Sequence, residues 1–575
     1  MTEPILNFDP KNPLAKIASV DTGTTIAIVV DELQLSALQV NQLISIDSPH
    51  SGRHIIGMIV KLSRKSLLND DEEESDEMPS SENLLKMVFV GELYDKYGEK
   101  RNVFKRNVTT LPSINAQCYK IEGEQLSNLM GTISSEMAHA DRPLVLGKYS
   151  MDGTSVVFLD GNKLFQRHAA VVGSTGSGKS YCVAKLVEQM SNLKNANAIL
   201  FDIHGEYSTD SFRKEGIQQY KIASPNDLSE VDKLNHNLLM IPYWLLTYEE
   251  MQAMLLDRSD MNAPNQAMLL SREVMAAKNR MVADSPYNGK ITLDSPIPYD
   301  LNEVLKILHE LDVQMVDGSR SPKAGPFNGK LTRFNQRLEN KLQDKRMGFM
   351  FSLSEEEQKM NWFADFCKKI MGNDADTHNC IKVIDFSEVP SDVLPLVTGL
   401  ITRIVFSVQQ WSENNHRHPL ALLCDEAHLY VQQMDSHDSI AEIGLKSFER
   451  VAKEGRKYGL GLVIISQRPS EVNHTVLSQC NNFISLRLSN VEDQNVIKRL
   501  LPDNLGNIAD NLSMLDIGEA IVVGDSTLLP SRIKIDFPSI VPSSQTVQFW
   551  NEWDKDDNKQ ELEKAVDNMI KQVKA

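Results

Sequence analysis

The run GSTGSGKS at 173–180 carries the most specific chemistry in this sequence. Gly173, Gly178, Lys179 and Ser180 fill every fixed position of G-x-x-x-x-G-K-[ST], a spacing that predicts a backbone wrapped around phosphates. Gly176 adds a third flexible point, and Ser174, Thr175 and Ser177 fill the intervening positions. Main-chain N–H groups and the positive end of the following helix then face the anion. Lys179 is expected to reach the β- and γ-phosphates and the Ser180 hydroxyl to ligate Mg²⁺. Tyr181 completes the candidate nucleotide-binding set.

A phosphate loop alone does not separate ATPases, GTPases and kinases. The apolar stretch LALLC at 420–424 ends in Asp425 and Glu426. That arrangement puts Asp425 in the Mg²⁺ shell and Glu426 where it orients and deprotonates an attacking water. Paired acids after a strand also serve as a helix N-cap favoured by the dipole, and that alternative stays open at this point. No Asn-Lys-x-Asp run of the kind that reads guanine is present, so ATP hydrolysis is the expected reaction. The stretch GLVIIS at 461–466 delivers Gln467 to a strand's C-terminal end, where open α/β sheets bind ligands, and makes it a candidate γ-phosphate sensor.

Elements must hold these residues in place. AAVV at 169–172 reads as a strand, residues 179–193 as a helix and AILFD at 198–202 as the next buried strand, a βαβ unit whose usual home is a parallel sheet. Further buried strands are expected at 238–241, 381–385, 420–424, 461–466, 483–488 and 519–524. Ahead of them, short β-rich stretches alternate with turn residues from 15 to 65 and again at 88–94, the texture of a small barrel or sandwich. Residues 244–380 are polar and Met-rich with apolar residues at helical spacing, which predicts a helical insertion. The charged tail from 545 onward is nearly free of Gly and Pro and is expected to be helical.

Composition bounds the rest. The 575 residues exceed one hydrophobic core, so two or three domains are expected. There is no run of about 18 apolar residues and no secretory pattern at the N-terminus, which predicts a cytoplasmic protein without membrane spans. Six scattered cysteines without a Cys-x-x-Cys pair point to reduced thiols rather than a structural metal. A net charge of −18 excludes a protein that coats nucleic acid with its whole surface, though not one with a local basic channel. Part of that charge sits in DDEEESDE at 70–77, which reads as a solvated loop or a docking segment.

Several motifs, in order, resemble the landmarks of the HerA branch of the HerA and FtsK motors. They are Arg167 and His168 ahead of the loop strand, FDIHGEY at 201–207, CDEAH at 424–428, EGRKYG at 454–459, SQRP at 466–469 and GEA at 518–520. The resemblance implies an α/β fold: a RecA-like P-loop NTPase core with an N-terminal β-barrel and a helical insertion. The barrel is assigned to 1–143, the core to 144–243 and 381–540, the insertion to 244–380 and a C-terminal brace to 541–575.

A homo-hexamer with ATP between subunits, threading double-stranded DNA, is also implied. By the same resemblance Arg167 contacts nucleotide in cis, Asp202 and Glu206 lie near the catalytic water, and a neighbouring subunit supplies an arginine finger. Arg450 and Arg456, both on the helical pattern of 441–458, compete for that finger, and Arg456 is favoured. His168, His204 and His428 lack metal-ligand spacing and are expected to pack or hydrogen-bond.

Relatives of this type are associated with a separate nuclease or a sirtuin-type NAD-consuming effector, the latter in bacterial antiviral systems. Two functional classes therefore stand: a DNA translocase or helicase, and a nucleotide-regulated ring scaffold that assembles a partner enzyme.

Overall fold

A computed structural model describes residues 4–571 apart from 22–23, 30, 67–80, 136–141, 152, 230–236, 318–320, 373–380, 434–438, 502–509, 544–546 and 555–560. The acidic run at 70–77 and Cys380 therefore lie outside the described residues. The chain divides into two compact units, one formed by 1–190 with 463–540 and the other by 191–462 with 541–575.

The first unit begins with strands β1 (Ala15–Val20), β2 (Thr25–Val29), β3 (Leu43–Asp47), β4 (Arg53–Ser66), β5 (Ser81–Tyr97), β6 (Lys100–Lys105) and β7 (Gln117–Lys120). Their order is β2-β1-β7-β3-β4-β5, and β2 pairs with β5 to close the ring, with β6 added outside β5. Closure is what makes this a barrel rather than a sandwich, and it removes the exposed edges that open sheets must protect. Ile17, Ala27, Ile44, Ile46, Ile55, Ile59, Leu85 and Met87 fill it. They come from alternate positions, as a period of two requires.

Among the described residues these strands follow: β8 (Leu144–Tyr149), β9 (Val156–Leu159), β10 (Ala169–Val172), β11 (Ala198–Asp202), β12 (Ile217–Ile222), β13 (Leu238–Leu239), β14 (Met315–Val316), β15 (Lys323–Ala324), β16 (Ile381–Asp385), β17 (Leu420–Cys424), β18 (Leu460–Ser466), β19 (Asn482–Leu486), β20 (Glu519–Gly524) and β21 (Ser531–Ile535). In the first unit, β10 lies between β19 and the Val463–Ser466 part of β18, parallel to both. Beyond β19 the order continues β20-β21-β8-β9 with antiparallel pairing. All four residues of β10 are fully buried, which explains an uninterrupted apolar run in place of alternation.

In the second unit the order is β13-β12-β16-β11-β17, parallel throughout. The helix Leu394–Trp411 crosses the helix Ser439–Glu454 at Gly399 and Gly444, where a Cβ on Gly399 would stand 2.4 Å from the Gly444 Cα. Residues 244–380 supply the helices Tyr248–Leu255, Ala263–Met281, Leu301–Val313, Thr332–Gln343 and Trp362–Met371, with β14 and β15 as a short hairpin between them. The first is started by a capping box of Thr247 and Glu250, and Glu250 also pairs with Arg403 at 2.7 Å, tying it to Leu394–Trp411. The tail forms the helices Phe549–Trp553 and Leu562–Lys571, neither with a buried residue.

Among the described residues no helix is long and apolar enough to cross a membrane. No cluster of three metal-ligating side chains occurs among them either. The five described cysteines are all free thiols, and burial pushes Cys182 and Cys480 up to about 12.

Candidate nucleotide site

The phosphate loop grows out of the C-terminal end of β10 and runs into the helix Lys179–Ser191. Its two ends are fixed by neighbours in the first unit. The Gly173 N–H donates to the Ser466 carbonyl at 3.3 Å, the Ser174 N–H to Arg487 at 2.9 Å, and the Gly518 N–H to the Ser177 carbonyl at 2.8 Å. Between these anchors the N–H groups of Thr175, Gly176 and Gly178 donate to no carbonyl among the described residues. Successive N–H groups left pointing outward form a concavity that suits an anion.

The glycines are required by conformation and by space. Gly176 has φ +73° and Gly178 φ +98°, and a Cβ on Gly178 would stand 3.1 Å from the Gly518 nitrogen. Lys179 is buried and Ser180 half-buried, in the first turn of the helix. Gln467 follows β18, where its Oε1 accepts the Thr175 hydroxyl at 2.6 Å. The loop and the expected γ-phosphate sensor are thus in direct contact.

The second unit gathers carboxylates at the C-terminal ends of adjacent parallel strands. Asp202 and Asp385 are register partners on β11 and β16, and Phe201 pairs with Cys424, which brings Asp425 next in the row. Asp425 and Glu426 are buried, Glu426 being 7 % exposed. Glu426 holds φ +44° and ψ +43°, a left-handed conformation that costs a side-chain-bearing residue energy and clusters at functional sites. The turn that imposes it is pinned: the buried Tyr430 hydroxyl donates to the Asp425 carbonyl at 2.9 Å, and the Val431 N–H to Ala427 at 2.7 Å. His428 Nδ1 lies 3.2 Å from Glu426 Oε2, so this histidine touches the acid pair. A plain N-cap does not describe Glu426, whose side chain makes no cap hydrogen bond to the short helix Ala427–Leu429 that follows.

Asp202 organises the turn that follows β11. It is 0 % exposed, and its carboxylate accepts the Glu206 N–H at 2.9 Å, the Tyr207 N–H at 2.9 Å and the Ser208 hydroxyl at 2.7 Å. Both oxygens accept hydrogen bonds from 206–208, so Asp202 positions the half-buried Glu206. Burial pushes the Asp202 carboxyl up to about 7 against those hydrogen bonds, and the charge of Asp385 adds to the rise.

Arg167 stands at the other end of β10 from the phosphate loop. It precedes β10 while the phosphate loop follows it, and four extended residues separate the two ends by roughly 13 Å. Its guanidinium is held by Asp525, whose other oxygen lies 3.6 Å from Arg106 of the barrel.

The two candidates for an arginine finger also part company. Arg450 sits 4.5 Å from the Phe406 ring centroid and donates to Gln410 at 3.1 Å. Arg456 is exposed on the short helix Gly455–Tyr458 and makes no side-chain hydrogen bond or ion pair among the described residues. Sequence reasoning missed Asp385 and Asp525. The first was legible as the acid ending the apolar strand IKVID, exactly parallel in form to AILFD, whereas the second carried no local signal.

Residues 144–405 match a family model described as the central domain of the helicase HerA. The DNA double-strand break repair helicase HerA of Saccharolobus solfataricus is 25% identical over 406 residues, covering 70% of this chain and 70% of that protein. A probable helicase of Methanocaldococcus jannaschii is 24% identical over 548 residues, covering 90% of this chain and 96% of its own length. Among solved structures, VirB4 of Thermoanaerobacter pseudethanolicus is similar with a TM-score of 0.44 and 17% identity, over 68% of this chain and 96% of that one.

Proposed function

We propose, from the match of residues 144–405 to the central domain of the helicase HerA, that the chain is an ATP-driven motor that translocates along double-stranded DNA as a homo-hexamer. The observation that supports this most is the pairing of an anion-ready loop with a buried, strained acid turn in one chain. One relative that shares most of the chain's length is named a DNA double-strand break repair helicase and another a probable helicase, which fits work on duplex DNA.

In this reading the Gly173–Ser180 backbone and Lys179 hold the triphosphate, and Ser180 and Asp425 hold Mg²⁺. Two protein ligands with substrate phosphates and waters are what Mg²⁺ ordinarily takes, and the ion would offset charge on the phosphates. Glu426, held in place by its turn and by His428, takes a proton from the attacking water. Gln467 reports the γ-phosphate to the loop through Thr175. Glu206 lines the water's surroundings from the turn that Asp202 folds. Arg456, exposed and unengaged, reaches a neighbouring subunit's nucleotide, where it offsets the charge that develops on the transferred phosphoryl group.

The barrel is assigned to assembly and to docking a separate effector, a nuclease or an NAD-consuming enzyme, in the cytoplasm. The tail of 541–575 is assigned to bracing a neighbouring subunit, and its exposed Trp550 and Trp553 suit such a contact.

Displacement of a third strand from a DNA triplex tests the reading. The wild-type chain with MgATP is expected to strip it, and Glu426→Gln to leave it in place. ATP hydrolysis without any displacement would turn the assignment to the scaffold class, in which nucleotide controls assembly of the effector and no translocation occurs.

A further inference from the structure

Beside the phosphate loop lies a small apolar wall that none of the phosphate or metal roles uses. Phe537 is 75 % exposed and Ile517 61 % exposed. Phe537 meets the Tyr181 ring, with centroids 5.0 Å apart and planes at 47°. Tyr181 directly follows Ser180 and sits in the first turn of the loop helix, where the N–H groups face the phosphates.

Both exposed residues are fixed to the loop by their backbones. Ile517 precedes Gly518, whose N–H bonds Ser177 and whose carbonyl accepts the Ile535 N–H at 2.9 Å, and the Ile517 carbonyl itself accepts Lys534 Nζ at 2.7 Å. Phe537 is anchored on either side. The Asp536 N–H donates to Leu146 at 2.9 Å, and the Ser539 N–H donates to Glu188 Oε1, on the loop helix, at 3.0 Å. An aromatic ring held rigidly in solvent, against the residue that ends the phosphate motif, has the form of a stacking surface.

We infer that Phe537, with Tyr181 and Ile517, forms the wall on which the nucleobase of the bound nucleotide stacks. The inference rests on the reading of 173–180 as an ATP site. A triphosphate seated in the loop leaves its nucleoside end to lie against neighbouring surface. A purine offers two apolar π faces that only an apolar wall satisfies. The wall grips the ring face and reads no edge, so it favours a purine over no base at all and contributes little to choosing between adenine and guanine.

Calorimetry of the full chain with two probes, MgADP and magnesium tripolyphosphate, tests this. Removing a base-stacking ring weakens binding roughly tenfold to hundredfold. Phe537→Ala is therefore expected to lose that factor for ADP and to leave tripolyphosphate affinity unchanged, with Phe537→Trp restoring ADP. An unchanged ADP affinity in Phe537→Ala overturns the inference, as does an equal loss for both probes, which would mean that the ring only supports the loop. A wild-type chain that binds neither probe overturns the nucleotide-site reading itself and this inference with it, which separates the two failures.

Discussion

The phosphate loop and the acid turn solve opposite problems. The loop works with backbone: its glycines give up side chains so that N–H groups of Thr175, Gly176 and Gly178 stay available, and Thr175 and Gly176 are exposed. The acid turn works with side chains, buried beside Tyr430 and His428, and Glu426 is forced into a left-handed conformation to aim its carboxylate. A flexible, open surface suits capture of a charged ligand; a strained and enclosed one suits chemistry on it. Binding and turnover should then separate when each region is altered alone.

The largest effect is expected at Glu426. Glu426→Gln keeps the shape of the turn and removes the base, so phosphate release should fall by about 10²- to 10⁴-fold while ADP affinity stays within error of wild type. Calorimetry and a phosphate-release assay on one sample check both halves. Lys179→Ala comes next. Loss of a charge-assisted hydrogen bond to phosphate should weaken ADP binding by roughly tenfold to hundredfold, visible directly in the binding isotherm. Equal losses of binding in both variants would dissolve the comparison.

A smaller effect is expected from Gly178→Ala. With φ +98° and the Gly518 nitrogen 3.1 Å from the added Cβ, strain of about 1–3 kcal/mol should lower both the melting temperature and nucleotide affinity, and leave the acid turn untouched.

The smallest is a pair of opposite pH windows. Burial raises Glu188 on the loop helix, but hydrogen bonds from Lys185 and Ser539 outweigh it and hold the carboxyl down at about 2, below its usual 4.5. Its stabilising contribution is present above about 4.5 and is lost as pH falls from there toward 2. Asp202 goes the other way. Its carboxyl keeps a proton up to about 7 in the fold but only to 3.8 otherwise, so its contribution is full below that lower value and fades as pH rises toward 7. In melting curves across pH 2–8 the wild type should show both slopes, and Glu188→Gln and Asp202→Asn should each lose one and keep the other, with shifts of about a few degrees.

What was legible in the chain differs between the same two regions. The loop is a contiguous motif whose conformation is dictated by its own glycines, so residues 173–180 announced both the turn and the helix that follows. The Asp425–Glu426 pair was legible as acids ending a buried strand. The row that includes Asp385 needed β11 and β16 to be known as register partners, which a strand's own residues do not state. Arg167 was placed at the nucleotide by resemblance alone, and its ion pair was not legible in the chain. A strand separates its two ends, and the partner that holds this arginine, Asp525, is 358 residues away. Barrel and sandwich share the same alternation, so only the β2–β5 pairing distinguishes them. Phe537 stood out in no motif: its meaning comes from where the backbone after β21 returns to the loop helix.

The most direct test of the account is ATP turnover by the purified chain with and without linear duplex DNA, over a salt series and beside Glu426→Gln. The account predicts that DNA raises a Glu426-dependent rate and that the stimulation falls steeply with salt, as phosphate contacts release counterions. A rate indifferent to DNA at every salt concentration would contradict it.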